Sequence, residues 1–268
     1  MPLPLNAEQH RHFSDHGWVI VPEVFDAEAC ARFRALLDRV ARTRVHSGTF
    51  SDGPATVLMD NLTLFDDAFV EVLTLPGLLP SCRRLMGCDL RLTGTSAHIR
   101  QPHPERATAA PALRDPRSWG WHRGIRPRWC NAPDEHDPTL LASCWLNVVS
   151  YFTPVHEGNG ATAVLDGSHR AEGTWQELLG RLPLLQPAVP AGGMLIFTEA
   201  LYHSAVPILS ETVRYNMYYE FVPPWWASHP WWEMPETVLR HFRDEELRRV
   251  LGPPRFRGQI EQPAVPAP

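Results

Sequence analysis

A change of texture at about residue 90 constrains the fold more than any other feature of the sequence. Beyond it, short runs rich in Val, Thr, Tyr, Trp and Ile alternate with Gly, Pro and Asn, a pattern typical of β-strands and turns. The predicted strands lie near 91–99, 140–152, 161–166, 193–198 and 212–222. The segments between them are too short for repeated helical crossovers. The pattern therefore favours an antiparallel double-sheet barrel, a jelly-roll, over a parallel, doubly wound sheet.

The N-terminal third is predicted to be mostly helical. Asn6, followed three residues later by Gln9, forms a capping box that begins a helix, and Gly17 ends it. The other predicted elements are a strand at 17–22, a helix after Asp26, a helical region at about 66–86 broken at Pro76-Gly77, and a polar helix at about 235–250. These elements indicate an α+β chain, mainly β, with helices flanking one sheet. We expect a single domain over 1–258 and a disordered tail at 259–268.

Charge and hydropathy argue against two classes of partner. The net charge is −5 with no run of basic residues, which disfavours nucleic acid, and no apolar stretch approaches the roughly 20 residues that cross a bilayer. Neither partner is implied. The five cysteines have no paired spacing and are expected to be packed and reduced, as in a cytoplasmic protein: Cys30, Cys82, Cys88, Cys130 and Cys144.

Three segments carry the residues that suggest chemistry. His122 lies in the first, Gly120-Trp121-His122-Arg123-Gly124, and His203 ends the last, which begins at Gly193. Between them, the segment 158–170 begins with Gly-Asn-Gly and ends with Gly-Ser-His-Arg. Arg214 follows His203 by eleven positions, on the next predicted strand. Each feature is modest alone, but their order and spacing together indicate one site.

In these segments the chain resembles the phytanoyl-CoA dioxygenase family, and the resemblance extends from the strand after Gly17 to about Phe221. That family has a double-stranded β-helix fold and uses O2 to couple oxidative decarboxylation of 2-oxoglutarate to oxidation of an unactivated C–H bond. The resemblance implies that His122 and His203 bind Fe(II), and that Arg214 binds the distal carboxylate of 2-oxoglutarate. Two imidazoles and a carboxylate suit an iron with open positions, and the guanidinium fork suits a carboxylate.

One position departs from the family and bears directly on the reaction. The proximal family motif is His-x-Asp, whereas this chain has His122-Arg123-Gly124, and glycine cannot coordinate a metal. In this respect the chain resembles the iron/2-oxoglutarate halogenases, which carry glycine or alanine there and bind chloride or bromide in the vacant position. Halide has the same single negative charge as the missing carboxylate, and Arg123 or Arg126 would help to attract it. Halogenation, in particular chlorination, is the leading hypothesis, with Gly124 as its determinant.

Two alternatives remain open. In the first, another carboxylate or a water completes the iron site and the enzyme is a hydroxylase. Glu199, four residues before His203, and Glu105, in His103-Pro104-Glu105, are the candidate ligands. In the second, the jelly-roll has lost catalysis and is a binding module. The presence of both histidines together with Arg214 argues against such decay.

Further residues are expected around the iron and the substrate. Asn147 lies on a predicted barrel strand and is a candidate for binding 2-oxoglutarate or for hydrogen-bonding a metal ligand. Thr95 and Ser96 are similar candidates for the C1-carboxylate side of 2-oxoglutarate. His169 is expected to be a structural hydrogen-bond partner near the site. The polar, Pro-rich insertion at 101–120 is a natural lid or binding loop. The expected substrate is a small natural-product intermediate, in a pocket lined by aromatic residues: Trp121, Trp225 and Trp226.

Overall fold

The structure is a computed structural model that describes residues 3–43, 46–49, 55–124, 143–226 and 234–254. Its strands are β1 (Trp18–Val21), β2 (His46–Thr49), β3 (Ala55–Asp60), β4 (Arg91–Arg100), β5 (Leu146–Tyr151), β6 (Thr162–Leu165), β7 (Leu184–Leu185), β8 (Met194–Thr198), β9 (His203–Ala205) and β10 (Arg214–Val222). Its helices are α1 (Ala7–His16), α2 (Ala27–Thr43), α3 (Ala68–Glu71), α4 (Leu78–Met86), α5 (Ala110–Leu113), α6 (Trp175–Leu178), α7 (Glu236–Leu239) and α8 (Glu245–Leu251).

A seven-stranded sheet forms one wall of a barrel. Its strands lie in the order β1-β8-β5-β10-β4-β3-β2, and every neighbouring pair is antiparallel. Side chains alternate between the two faces of a strand, so the register defines an inner and an outer face. On β10 the inner face carries Arg214, Asn216, Tyr218 and Glu220, because Tyr218 pairs with Val149 of the apolar cluster inside the barrel.

A smaller sheet forms the opposite wall. It has the order β7-β6-β9, and His122 extends it by pairing with His203 of β9. The Tyr151 hydroxyl on the large sheet and the Thr162 hydroxyl on the small sheet are hydrogen-bonded at 2.8 Å. The two walls therefore form a jelly-roll, as predicted, and the paired histidines lie on its small sheet.

Helices cover the outer face of the large sheet. Phe33 and Leu37 of α2, Leu85 of α4 and Val250 of α8 are buried in one cluster with outer-face residues such as Ile196. This packing leaves the inner face of the sheet for the site. No helix among the described residues combines the length and apolar character that a membrane span requires.

The predicted elements agree with the structure over most of the chain. The capping box of Asn6 and Gln9 is present, and α1 ends at Gly17, which has a left-handed φ of +84°. The helical region at about 66–86 is broken before α4, as predicted. The prediction of one helix at about 235–250 is wrong: α7 ends at Leu239, and Asp244 caps a separate α8 by accepting hydrogen bonds from two backbone amides.

Four strands have no clear signal in the sequence. β7 and β9 contain two and three residues, too few to show alternation, and β2 and β3 precede the strand-rich region. Among the cysteines, Cys30, Cys82 and Cys144 are buried as predicted. Cys88 is exposed, contrary to the prediction, because it lies in the turn between α4 and β4. Cys130 lies outside the described residues.

Tyr151→Phe is expected to lower the free energy of unfolding by about 1–2 kcal/mol, because it leaves the buried Thr162 hydroxyl without its partner. Urea denaturation measures this change. Tyr215→Phe is the matched control, since it removes a 3.1 Å hydrogen bond to Asp38 at a less buried position. An equal or smaller loss for Tyr151→Phe would contradict the role given to the link between the sheets.

Candidate metal centre

His122 and His203 are adjacent although they are far apart in the sequence. Each backbone N–H donates to the backbone carbonyl of the other, at 3.1 and 2.9 Å. This antiparallel pairing places the two side chains on the same side, with their ring centroids 4.2 Å apart. The ring of Phe197 packs 4.7 Å from the His203 ring and limits its movement. The fold thus brings together the two histidines that the sequence analysis assigned to one site.

Both imidazoles make the same kind of hydrogen bond to a backbone carbonyl. Nδ1 of His122 is 2.9 Å from the Gly120 carbonyl, and Nδ1 of His203 is 2.9 Å from the Leu201 carbonyl. A carbonyl only accepts, so the hydrogen is on Nδ1 and Nε2 keeps its lone pair for a metal. Burial lowers the pKa of His203 and outweighs the nearby charge of Glu199, which raises it; the proximity of His122 also lowers it. The net shift favours the neutral ring that a metal requires.

Glu199 completes a three-residue group with these histidines. One ligand atom from each of His122, Glu199 and His203 lies within 4.8 Å of the others. Glu199 follows β8 directly, and its backbone N–H donates to the Trp145 carbonyl at 2.9 Å. Two imidazole nitrogens and one carboxylate are the donor set that suits a non-haem iron with open positions. Among the described residues, this is the group of at least three His, Cys, Asp or Glu side chains whose ligand atoms lie close enough together to hold a metal ion.

Glu199 occupies the space into which a side chain at position 124 would project. The Gly124 N–H donates to the Glu199 carbonyl at 2.8 Å, so the two backbones are in contact. A Cβ at position 124 would overlap Cγ of Glu199 and lie 3.1 Å from its Oε1. The space next to Gly124 therefore contains part of the side chain of Glu199. A side chain at position 124 would compete with the side chain of Glu199 for this space.

Two inner-face residues of the large sheet flank Glu199. The Asn147 amide donates a short hydrogen bond to Oε2 of Glu199. Glu220, paired in register with Asn147, lies beside it, and Gly94 leaves room for its carboxyl. Burial raises the pKa of Glu220 to about 7, and the nearby carboxylates of Glu199 and Asp60 add to the effect.

Arg214 lies at the other end of the same inner face. It is 2% exposed, and its Nη1 donates to the Gly160 carbonyl at 2.5 Å. Its Nε has no hydrogen-bond partner among the described residues. Gly160 has a left-handed φ of +68°, and a side chain there would collide with Ile208, so the Gly-Asn-Gly turn is what brings this carbonyl to the arginine. The Nε–H of the guanidinium is thus available to a ligand, and binding of 2-oxoglutarate by Arg214 stays a prediction.

Three further residues of the barrel interior surround Arg214. Arg100 is its cross-strand partner, and burial and the charge of Arg214 lower the pKa of Arg100 to about 9. Burial, followed by the two arginines, lowers the pKa of His98 to about 3, so this ring is neutral. Asn216, two positions after Arg214, is fully buried, and its side-chain amide has no hydrogen-bond partner of normal geometry. The interior is thus basic at this end and acidic near Glu199.

Arg123 is engaged in the protein and does not point to an open position. Its guanidinium donates to the carbonyls of Ser168, Ala171 and Gly173 at 3.3 Å and stacks 4.3 Å above the Tyr202 ring. These contacts dock the 122–124 segment onto the loop after β6. Arg123 therefore positions His122, which differs from the expected attraction of halide, and Arg126 lies outside the described residues.

The structure separates other predicted residues from this centre. Thr95 pairs with Tyr219 on the outer face of the sheet, opposite to the barrel interior, whereas Ser96 shares the inner face. Glu105 is exposed on the insertion and is not in the metal group. His169 is hydrogen-bonded to the Ser14 carbonyl at 3.1 Å, in a structural role as expected.

The predicted aromatic lining is dispersed. Trp121 is buried and donates from Nε1 to the Pro116 carbonyl at 2.7 Å, so it packs under the insertion. Trp225 is 37% exposed and lies against Trp226 at a centroid distance of 5.7 Å. The Trp226 carbonyl accepts a hydrogen bond from Arg91, which also binds the Gly252 carbonyl after α8. This pair lies beside the C-terminal helix.

Comparison with known proteins agrees with this arrangement. The model of the phytanoyl-CoA dioxygenase (PhyH) family matches residues 13–216, well over half of the chain. The chain belongs to this family. Dioxygenase af480 of Aspergillus fumigatus is 27% identical over an alignment of 217 residues that covers 76% of this chain and 62% of that relative. The chain thus spans less than two thirds of the length of this curated relative.

Solved structures share the family fold. HygX of Streptomyces hygroscopicus, crystallised with nickel and 2-oxoglutarate, has a TM-score of 0.65 at 19% identity, over 88% of this chain and 94% of its own. SnoK, a non-haem α-ketoglutarate-dependent carbocyclase of nogalamycin biosynthesis, has a TM-score of 0.64 at 17% identity, over 96% of both chains. SnoN, an epimerase of the same biosynthesis, has a TM-score of 0.64 at 16% identity, over 83% and 84%. At these identities the likeness establishes the jelly-roll fold.

Sequence reasoning missed two interior residues of this family member, Asn216 and Glu220. Both lie on the strand of Arg214, at even spacings from it, and therefore on the same face. That alternation was available in the sequence once Arg214 was assigned to the interior. The hydrogen bond from Asn147 to Glu199 had no such signal, because it depends on how β5 pairs with β8.

Glu199→Gln is expected to weaken Co(II) binding because it removes an anionic donor. The loss of affinity should exceed the roughly 10- to 100-fold that follows when a ligand loses a hydrogen-bond partner. Anaerobic titration of the Co(II) absorption bands measures the affinity. Glu105→Gln is the matched control, since Glu105 lies outside the metal group. Equal affinities for the two variants would rule out Glu199 as a ligand.

In the metal-free protein, stability is expected to fall as pH rises from about 4.5 to about 7, because native Glu220 holds its proton more tightly than the unfolded chain. Glu220→Gln should remove this part of the slope and be relatively more stable at pH 8 than at pH 5. Urea denaturation at both values tests it. Glu157→Gln, at an exposed position, should leave the slope unchanged; a slope unaffected by Glu220→Gln would contradict the prediction.

Proposed function

We propose that the protein is an Fe(II)/2-oxoglutarate-dependent oxygenase that hydroxylates an aliphatic C–H bond of a small molecule, with Glu199 as the third iron ligand. The observation that carries the proposal is the fit between Gly124 and Glu199. A carboxylate occupies the space that the glycine leaves, next to two imidazoles with free Nε2 atoms. The site then has the usual donor set with one ligand contributed from a different segment.

The residues present fit both the metal and the cosubstrate. When bound, iron and 2-oxoglutarate supply O2 activation, in which 2-oxoglutarate is oxidised to succinate and CO2 and the substrate C–H bond is oxidised. His122, His203 and Glu199 would hold the metal. The buried Nε of Arg214 has no hydrogen-bond partner among the described residues and suits the distal carboxylate of 2-oxoglutarate.

Asn147 has a positioning role in this proposal. Its amide donates to Oε2 of Glu199 and leaves Oε1 for the metal. The same hydrogen bond keeps the carboxylate from rotating towards Glu220, whose own carboxyl is favoured in the neutral form by burial. A neutral Glu220 does not compete with Glu199 as an anionic donor. Asn147 and Glu220 together thus direct one carboxylate to the metal.

Hydroxylation is favoured over halogenation by the volume at position 124. Halide binding in place of a carboxylate requires open space there, and Glu199 fills that space. Arg123, the expected attractant, is engaged with three carbonyls. Crystals grown anaerobically with iron, 2-oxoglutarate and bromide distinguish the reactions. We expect the Glu199 carboxylate on the metal, whereas anomalous bromide signal beside the metal would restore halogenation as the leading function.

Succinate formation from 2-oxoglutarate, measured with Fe(II) and without added substrate, tests whether the protein is an enzyme or an inactive binding module. Arg214→Leu is expected to raise the KM for 2-oxoglutarate by about 10- to 100-fold, because a charge-assisted pair is lost. Arg181→Leu, an exposed arginine, should leave KM unchanged. Absence of succinate and of the anaerobic iron–cosubstrate absorption band would favour the binding module.

Moving the carboxylate back to the family position is a further test. Glu199→Ala should abolish tight Co(II) binding, and Gly124→Asp alone should be destabilised by the overlap with Glu199. Combining Gly124→Asp with Glu199→Ala should recover about tenfold or more of the affinity lost in Glu199→Ala, because one carboxylate is again beside the imidazoles. If the double variant binds Co(II) no better than Glu199→Ala, positions 124 and 199 do not serve the same coordination position.

A further inference from the structure

A second pair of histidines lies outside the candidate metal centre, in the C-terminal half of α1. His12 and His16 are four residues apart on this helix and therefore share one face of it. Their ring centroids are 4.3 Å apart. Both residues are partly exposed, so an ion in the solvent can reach the pair. Two histidines at this helical spacing are a common arrangement for binding a transition metal.

A carboxylate orients the ring of His16. Nδ1 of His16 is 2.7 Å from Oδ2 of Asp166. A carboxylate only accepts, so the hydrogen is on Nδ1 and the lone pair is on Nε2. Imidazoles that bind a metal commonly donate their other N–H to a carboxylate in this way, which fixes the direction of the ring. His16 thus has the hydrogen-bond partner that is typical of a metal ligand.

Asp166 is itself held in place by the fold. Its Oδ1 accepts a hydrogen bond from Nε1 of Trp18 at 2.8 Å, and its side chain is 12% exposed. The backbone supports the same contact, because the Gly167 N–H donates to the His16 carbonyl at 3.1 Å. The turn after β6 is therefore docked on the end of α1. The orientation of His16 does not depend on one flexible side chain.

His12 offers the second imidazole. Within the described residues its ring makes no hydrogen bond, and it contacts the ring of His16 and, edge-on at 4.7 Å, the ring of Trp18. Burial lowers the pKa of His12, and the proximity of His16 adds to the effect. The carboxylates of Asp166 and Asp15 oppose it, but the net shift is downward. It favours the neutral ring that a metal requires.

The separation of the two rings indicates the kind of ion that fits. For a metal–nitrogen distance of about 2.1 Å, two imidazoles on one ion have centroids roughly 4.5 Å apart at a right angle and roughly 5.2 Å apart at a tetrahedral angle. The observed 4.3 Å is closer to the right angle. Right angles are typical of octahedral and tetragonal ions such as Ni(II) and Cu(II).

We infer that His12 and His16 bind one divalent transition-metal ion of this kind, and that Asp166 is the residue that positions His16. The pair belongs to no group of three ligand side chains in the described part of the chain, so water would complete the coordination. The bound ion would make the N–H of His16 a stronger donor to Asp166 and thus fasten α1 to the turn after β6. This site is separate from the iron centre of the proposed function, and neither requires the other.

Calorimetric titration of untagged, metal-free protein with Ni(II) tests the site. The parent is His122→Gln, which weakens the candidate metal centre at an exposed position. Adding His12→Gln should weaken Ni(II) binding at the pair at least about tenfold, because one of its two imidazoles is lost. His10→Gln is the matched control on the same helix and should leave Ni(II) binding as in the parent. Glutamine is a good helix former, so both substitutions preserve α1.

Asp166→Asn in the same parent tests the positioning role. It should weaken Ni(II) binding by about 10- to 100-fold while both imidazoles remain. An unchanged affinity in this variant would overturn that role. Equal affinities with and without His12→Gln, or an equal loss in His10→Gln, would overturn the site itself.

The stoichiometry of the wild-type protein separates this inference from the proposed function. Two Ni(II) ions per chain are expected, one lost in His12→Gln and the other weakened in Glu199→Gln. A single ion that is lost in His12→Gln and unaffected by Glu199→Gln would support the pair and contradict the proposed iron centre. A single ion that is weakened by Glu199→Gln and unaffected by His12→Gln would overturn only the inference drawn from the histidine pair.

Discussion

The site depends on the backbone pairing of His122 with His203. Two reciprocal hydrogen bonds join segments that are distant in the sequence, and they fix the separation of the rings before any side-chain contact is considered. The pairing also sets the direction in which the chain continues from His122 to Gly124, and thus the contact of Gly124 with Glu199. Without this pairing, the small sheet would lose the segment that lies next to β9, and the two imidazoles would no longer lie side by side. Arg123 strengthens it by docking the segment on the carbonyls of 168–173.

The proposed exchange of a ligand between two segments depends on that pairing. A coordination position is defined by its place in space, so it can be filled from either of two backbones that touch. Gly124 and Glu199 touch through a 2.8 Å hydrogen bond, and only one of them has a side chain in the shared volume. Under the proposed function, a motif read along one segment therefore shows a missing ligand, although the fold places a carboxylate beside the two imidazoles.

The sequence was informative where local signals dominate. The alternation in 91–99 and 212–222, the cap at Asn6 and the spacing of His203 and Arg214 predicted the strands, a helix and part of the site. It was less informative where long-range packing decides. Nothing local indicates that Thr95 lies on the outer face while Ser96 lies on the inner one; that follows from the register with β10.

The choice between halide and carboxylate at Gly124 was open from the sequence for the same reason. Glu199 was recognised as a candidate by its distance along the chain from His203. Its contact with Gly124 depends on the pairing of His122 with His203, which joins two segments that are far apart in the sequence. Asn147 likewise contacts Glu199 only because β5 pairs with β8 in the observed register.

The position of Glu199 also has a consequence for how the centre assembles. Glu199 and His203 belong to one tight connection between β8 and β9, so two of the three donors are held together by five consecutive residues. In the proposed centre, the connection between β8 and β9 thus carries two donors, and the segment docked by Arg123 carries the third, His122. In the usual arrangement, with two donors on the proximal segment, the roles of the two segments are reversed.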